Sequence, residues 1–375
     1  MCRVAERITF ARTEEQTMLA TTVRDFLEAT VDMDTVREAS LTENAFNREA
    51  WGGLVEMGLV GLHIPEQYGG AGFSFIETAI VFEELGRRVV PVPLLSSIMA
   101  SAAILAAGSE SQKEMLVPPI ASGESTATLA VFEHAHDLDA CATVANRVEN
   151  GWSLTGTKRY VTDAPNADQF VVVASTDEGT RLFVVDASTA GVTIAPTPSL
   201  DATRPLGELG LEDVHVDSDA CLSESDTTAA IRKALDVGVV ALAQEQAGGA
   251  QRCLEMSVEY AKSRYQFGRA IGSFQAVKHM CADMLVAAEH AKSVATHAAR
   301  TIDDADESAI SVPLAKSVCS DAYIKAAGDT IQIHGGIGFT WEHDAHLYFK
   351  RAKSTALLLG SVNSYRDRLA DAIGI

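Results

Sequence analysis

The chain has 375 residues, 47% of them hydrophobic, which is enough to bury a large core and to build two or three structural domains. Its formal net charge of −21 argues against nucleic acid or an anionic membrane as partner, since either would repel it over a Debye length. No stretch approaches the roughly 18 uninterrupted apolar residues of a membrane span. The opening Met1-Cys2-Arg3-Val4-Ala5-Glu6 lacks the basic region and apolar run of a signal peptide, so the expected location is the cytoplasm.

Residues 1–120 carry helix-period patterns, as from Ile76 to Leu85, where Ile80, Phe82 and Leu85 interleave with Glu77, Glu83 and Glu84. Between these patterns lies a Gly/Pro-rich loop, Gly61 to Gly72. Across residues 121–225 the period changes to that of strands. Thr126 to Phe132, Lys158 to Thr162, Phe170 to Ala174, Leu182 to Val185 and Val192 to Ala195 are short, β-branched or aromatic, and separated by turn residues. Their spacing suits an antiparallel sheet or barrel and not βαβ units. Over residues 226–375 the helical signal returns. Ile231, Leu235, Val239, Leu242, Ala250, Leu254 and Val258 hold one apolar stripe, and Phe274, Val277, Cys281, Met284, Ala288, Ala291 and Val294 a second. A third helix is expected to start near Pro313, a residue suited to a first turn. The predicted fold is mostly α with a central β domain: an N-terminal all-α domain (1–120), a middle β domain (121–225) and a C-terminal helical bundle (226–375).

Two motifs stand out in the last part. Arg264-Tyr265-Gln266-Phe267-Gly268 falls where one long helix ends and the next begins, with Gln275 soon after. An arginine fork there suits a pyrophosphate, and Gly268 permits a tight turn. Taken alone, Arg-x-x-Phe-Gly is better read as an arginine paired along its helix and a glycine cap. Farther on, Gln332-Ile333-His334-Gly335-Gly336 ends a helix with glycines that let a ligand approach the backbone, or simply stop the helix. The histidine pairs His134/His136 and His343/His346 lack acid and cysteine company, and the six cysteines (Cys2, Cys141, Cys221, Cys253, Cys281, Cys319) show no metal-ligand spacing. No metal is assigned, and the cysteines read as small buried hydrophobes in a reducing compartment.

Both motifs in order, after a central strand domain, resemble the acyl-CoA dehydrogenase family over nearly the whole chain. The resemblance implies an acyl-CoA dehydrogenase-like fold and FAD as cofactor. It implies that Arg264, Phe267, Gln275, Gln332, Gly335 and Gly336 contact the ADP half of a flavin held mainly by a neighbouring subunit. The flavin-ring motifs of the family are altered here. Phe132 stands where the family has a ring-contacting threonine and Leu138 where it has a serine, while Tyr160-Val161-Thr162 keeps the second threonine, Thr162. Thr162 reads equally as an ordinary strand threonine.

The family removes an α-proton of an acyl thioester with a glutamate while a hydride leaves to the flavin. Leu359 occupies the commonest position of that glutamate, after Arg351-Ala352-Lys353, and Gly238 the alternative position. No catalytic residue is therefore assigned, and Asp236, Glu245 and Glu342 read chiefly as surface or capping acids. The run Gly336 to Asp344 resembles the non-catalytic subunits of actinobacterial α2β2 acyl-CoA dehydrogenases of steroid side-chain degradation. The implied role is a subunit that lends ADP-side contacts to a Glu-bearing paralogue, with a bulky acyl-CoA as substrate and an electron-transfer flavoprotein as acceptor. Two alternatives stay open: a homotetrameric FAD enzyme with a different base or chemistry, and a flavin-free scaffold or regulatory partner.

Overall fold

The computed structural model describes residues 11–134, 141–222 and 226–375. Helices α1 (Glu14–Thr30), α2 (Met33–Ser40), α3 (Arg48–Glu56), α4 (Phe75–Arg88), α5 (Leu94–Ala107) and α6 (Glu110–Ala121) form the first layer. Their starts are chemically marked. Thr13 with Gln16 and Ser109 with Gln112 form reciprocal capping boxes ahead of α1 and α6, each satisfying two otherwise orphaned backbone donors. Helix α5 is apolar nearly all round and is buried against α7 and the sheet.

The strands are β1 (Ala127–Ala130), β2 (Val144–Val148), β3 (Gly151–Thr162), β4 (Gln169–Thr176), β5 (Gly179–Asp186), β6 (Val192–Thr197), β7 (Leu206–Val216) and β8 (Cys221–Leu222). They join in the order β6-β7-β3-β2-β4-β5-β8, with β1 on β4. The long pairings are antiparallel, whereas β1 runs parallel to β4 and β2 touches β4 in parallel through one pair. Three strands of this sheet, β2, β7 and the two-residue β8, escape the sequence pattern. β2 exposes most of its residues, and β7 places Gly207 and Gly210 among its buried leucines, which blurs the alternation.

Helix α7 (Thr227–Ser263) is the central pillar, about 55 Å long at the usual rise per residue. It is followed by a small hairpin, β9 (Tyr265–Gln266) and β10 (Arg269–Ala270), and by α8 (Gln275–Thr301), α9 (Ala305–His334), α10 (Ala345–Leu357) and α11 (Val362–Ala372). The expected start of α9 at Pro313 is displaced. The helix begins at Ala305, where Asp304 accepts hydrogen bonds from the N–H groups of Asp306 and Glu307, and Pro313 lies inside it. An acidic first turn complements the helix dipole and sets the start, and the proline only removes one donor farther along.

A buried ionic cluster joins the layers. Arg351 of α10, 2% exposed, donates to Asp201 at 2.5 Å, to Glu245 of α7 at 2.7 Å and to Thr203, while Arg204 donates to Glu245 at 2.5 Å. Ser96 of α5 donates to Asp163, just after β3, at 2.8 Å. Among the described residues no helix is long and apolar enough to cross a membrane. Of the five cysteines described, all are free thiols: Cys253 and Cys319 are buried, while Cys141, Cys221 and Cys281 are half-buried rather than buried as expected.

Candidate active site

Gly238 and Leu359, the two positions expected from the sequence to stand in place of the base, meet in space. A Cβ placed on Gly238 would lie 2.8 Å from Leu359 Cδ1 and 2.6 Å from Met99 Sδ, closer than side chains pack, so no larger residue fits there without displacement. Leu359 is buried and adopts φ of 62°, a left-handed conformation that costs a non-glycine residue about 1 kcal/mol or more. The surrounding turn is held firmly in compensation. Tyr365 Oη donates to Leu359 O at 3.0 Å, and Lys316 Nζ donates to Thr355 O and Leu358 O at 2.7 and 2.8 Å. Burial pushes the Lys316 ammonium down to about 7.

Around Leu359, the ends of β1 and β3 bring up Phe132, Tyr160 and Thr162, α5 brings Met99, and α7 brings Leu235. The space they leave is about 10 Å³ and no carboxylate lines it. The three acids considered as base, Asp236, Glu245 and Glu342, are not on this lining. Asp236 takes a bidentate pair from Arg368 at 2.6 and 2.7 Å. Burial alone would raise the pKa of Glu245, but Arg204 and Arg351 outweigh it and hold the carboxylate below its ordinary range. Glu342 is exposed on the loop after α9, where its carbonyl accepts from Arg37 at 3.1 Å.

The other sequence-marked residues stand on the surface. Phe267 and Gly268 form the two-residue turn of the β9–β10 hairpin, both with positive φ (52° and 77°), and Phe267 at its tip is 91% exposed. Arg264 caps α7 through its backbone, its side chain is exposed, and among the described residues it has no carboxylate partner. Gln275 begins α8 and is exposed. At the end of α9, Gln332, Gly335 and Gly336 are exposed, Gly335 has φ of 62°, and open space surrounds both glycines. Beside them, Tyr260 stacks on His334 and His343 meets His334 at a tilt, ring centres 4.3 Å apart in both pairs, and Trp341 lies flat on His346 at 4.8 Å. Arg37 of α2 fastens this loop through Asp344. His136 and Leu138 lie outside the described residues. Among the described residues no His, Cys, Asp and Glu cluster offers a metal site.

The fit to a flavin is therefore split. A ring needs a cavity of a few hundred Å³, and the space beside Thr162, Phe132 and Leu359 does not provide it. The exposed guanidinium of Arg264, the Phe267 ring and the open Gly335-Gly336 backbone do suit an anionic, aromatic group presented from outside. A larger cavity of about 410 Å³ opens on the far side of Tyr160 and Leu358, lined also by Leu200, Leu206, Lys353 and Leu357, and its lining excludes Thr162, Phe132 and Leu359. Lys316, Met99 and the Asp201–Arg351–Glu245 cluster were not singled out from sequence. A lysine directly after the apolar run Val312 to Ala315 was the one available signal.

Family models for the acyl-CoA dehydrogenase N-terminal, middle and C-terminal domains match residues 13–124, 133–214 and 228–374. The chain is 35% identical over 361 residues to acyl-CoA dehydrogenase IpdE2 of Mycobacterium tuberculosis, covering 96% of this chain and 98% of that one. It is similar to a solved chain of the ChsE4-ChsE5 complex from Mycobacterium tuberculosis, with 29% identity, TM-score 0.90 and coverage of 98% and 99%. A solved steroid ACAD, a variant of Tcur3481-Tcur3483, gives 31% identity, TM-score 0.87 and coverage of 96% and 98%.

Proposed function

Because this chain belongs to the acyl-CoA dehydrogenase family of FAD-dependent oxidoreductases, we propose that it is the base-lacking subunit of a heteromeric acyl-CoA dehydrogenase. One observation carries the reading. Gly238 and Leu359 fill the place of the base with apolar contacts, while Arg264, Phe267, Gln275, Gln332, Gly335 and Gly336 remain exposed. A chain selected to hold its own flavin ring would not fill that space. A chain with no part in flavin binding would have no reason to present an arginine without a carboxylate beside an exposed phenyl ring.

FAD, when bound, supplies the acceptor for the hydride that leaves the β-carbon of the acyl thioester. The residues of this chain bind and orient it. Arg264 neutralises pyrophosphate charge, Phe267 covers an aromatic face, Gln332 and Gln275 donate or accept at polar edges, and the Gly335-Gly336 backbone admits close approach. Thr162 is buried beside Phe132 in β3, and its carbonyl accepts from Thr128 Oγ1 at 2.7 Å. The α-proton is taken by a glutamate of a paralogous partner in an α2β2 assembly. The heteromeric ChsE4-ChsE5 complex and the steroid ACAD among its structural relatives support this arrangement and a bulky, steroid-type CoA thioester as substrate. Electrons then pass to an electron-transfer flavoprotein, in the cytoplasm.

The test is dehydrogenation of a steroid-type CoA thioester by this chain co-purified with a Glu-bearing paralogue, followed by reduction of an electron-transfer flavoprotein. Activity confined to the complex, and lowered about tenfold or more by Arg264→Ala in this chain, is expected. Turnover by the isolated chain, or indifference to Arg264→Ala, would refute the assignment.

A further inference from the structure

Three histidines, His334, His343 and His346, gather at the loop that follows α9, and each has its proton placed by a backbone group. A carbonyl can only accept. His334 Nδ1 therefore carries the hydrogen donated to Thr330 O at 2.7 Å, and His346 Nε2 the one donated to Trp341 O at 3.3 Å. An N–H can only donate, so His343 Nδ1 is bare where the Ala345 N–H reaches it at 3.1 Å, at the start of α10. The Nδ1 of His346 is buried and has no partner among the described residues. This arrangement suits neutral rings. A proton on His343 Nδ1 takes the acceptor from Ala345 N–H, and one on His346 Nδ1 leaves a buried donor unmet. Charge on both His334 and His343 sets two cations on rings whose centres are 4.3 Å apart. Around the rings stand Tyr260 on α7, Arg37 with its partner Asp34 on α2, Glu342 and Asp344 in the loop, and Lys350 on α10. Burial lowers all three imidazoles below the ordinary 6.5. Arg37 and His346 lower His343 further, Arg37 and Lys350 lower His346, and the Asp344 carboxylate opposes both.

We propose that these three histidines form a pH-operated latch on the loop that carries Gly335 and Gly336. Neutral rings hold the loop against α9 and the start of α10, and proton uptake opens it. The sign follows from the lowered imidazoles: their contribution is fully present above pH 6.5 and is lost as pH falls toward their folded values. The latch does not rest on the subunit role proposed above. In that role, its opening would also withdraw the two glycines from the flavin.

Hydrogen–deuterium exchange of the full chain between about pH 7.5 and about pH 5.5, corrected for the intrinsic pH dependence of exchange, tests it. Opening of residues 335–346 is expected to rise as pH falls, by up to about tenfold per pH unit for each ring that takes up a proton, while the middle of α7 stays protected. The triple variant His334→Asn, His343→Asn, His346→Gln keeps an amide nitrogen or oxygen at each bonded position and cannot titrate there. Its opening is expected to stay level with pH. His343→Asn alone, at a half-buried position, is expected to shed one ring's share of the response. Opening of the parent segment that does not change with pH, or a pH response left intact by His343→Asn or by the triple variant, would overturn the latch.

Discussion

Asp163 sits wholly inside the protein, and burial pushes its carboxyl up to about 6 against the opposing pull of Arg204 and the Ser96 hydroxyl. A carboxyl whose pKa is raised on folding binds its proton more readily in the native state. Its contribution is fully present below its ordinary pKa near 4 and is lost as pH rises through about 6. Asp163→Asn keeps an acceptor for Ser96 and cannot ionise. The variant should therefore gain on the parent by up to about 3 kcal/mol in urea unfolding between pH 4 and pH 7. An unchanged difference across that range would show that Asp163 does not titrate there. Leu359 makes the opposite case. Leu359→Glu restores the family's residue type, but it forces an unpaired carboxylate against Met99 and Gly238, so it should destabilise the fold by about 3 kcal/mol and create no activity in the isolated chain. Turnover by that variant alone would show that the chain carries the rest of an active site.

At the scale of elements, a buried ammonium holds the end of α10, beside the Tyr365 hydroxyl that holds Leu359 O. Lys316 Nζ caps the last carbonyls of α10, so Lys316→Met would leave Thr355 O and Leu358 O without partners. We expect a loss of about 2–4 kcal/mol in equilibrium unfolding, and a neutral result would mean that the helix end finds other donors. Much of the element layout was legible in the sequence because apolar stripes such as Ile231 to Val258 repeat at helical spacing. The strands β2 and β7 were not, since exposure and internal glycines hide the alternation, and Pro313 drew the start of α9 too far along the chain. For the site, the altered residues could be read in order, but their meeting could not. That Gly238 packs on Leu359 depends on how α7 crosses the end of α10. Likewise, Arg351 looked like part of a motif, and only the fold reveals the two acids and the second arginine around it.

For the whole molecule, the proposed role as one subunit of a heteromer joins the exposed arm to the filled space at Gly238 and Leu359. Arg264 and the Phe267 turn extend from the C-terminal helices into solvent, where the Phe267 ring meets Phe274 edge-on and Arg264 has no carboxylate partner among the described residues. An acidic chain, at −21 overall, stays soluble while it presents such an arm, because like charges keep copies from associating at random. The most direct measurement is flavin content: visible flavin absorbance against protein concentration, first for this chain purified alone and then for the chain co-expressed with a Glu-bearing paralogue. Little flavin alone and about one FAD per two chains in the complex is the predicted result, since each shared site needs one chain of each kind. Full flavin in the isolated chain would contradict the account, and would place the ring in the 410 Å³ cavity beyond Tyr160 instead.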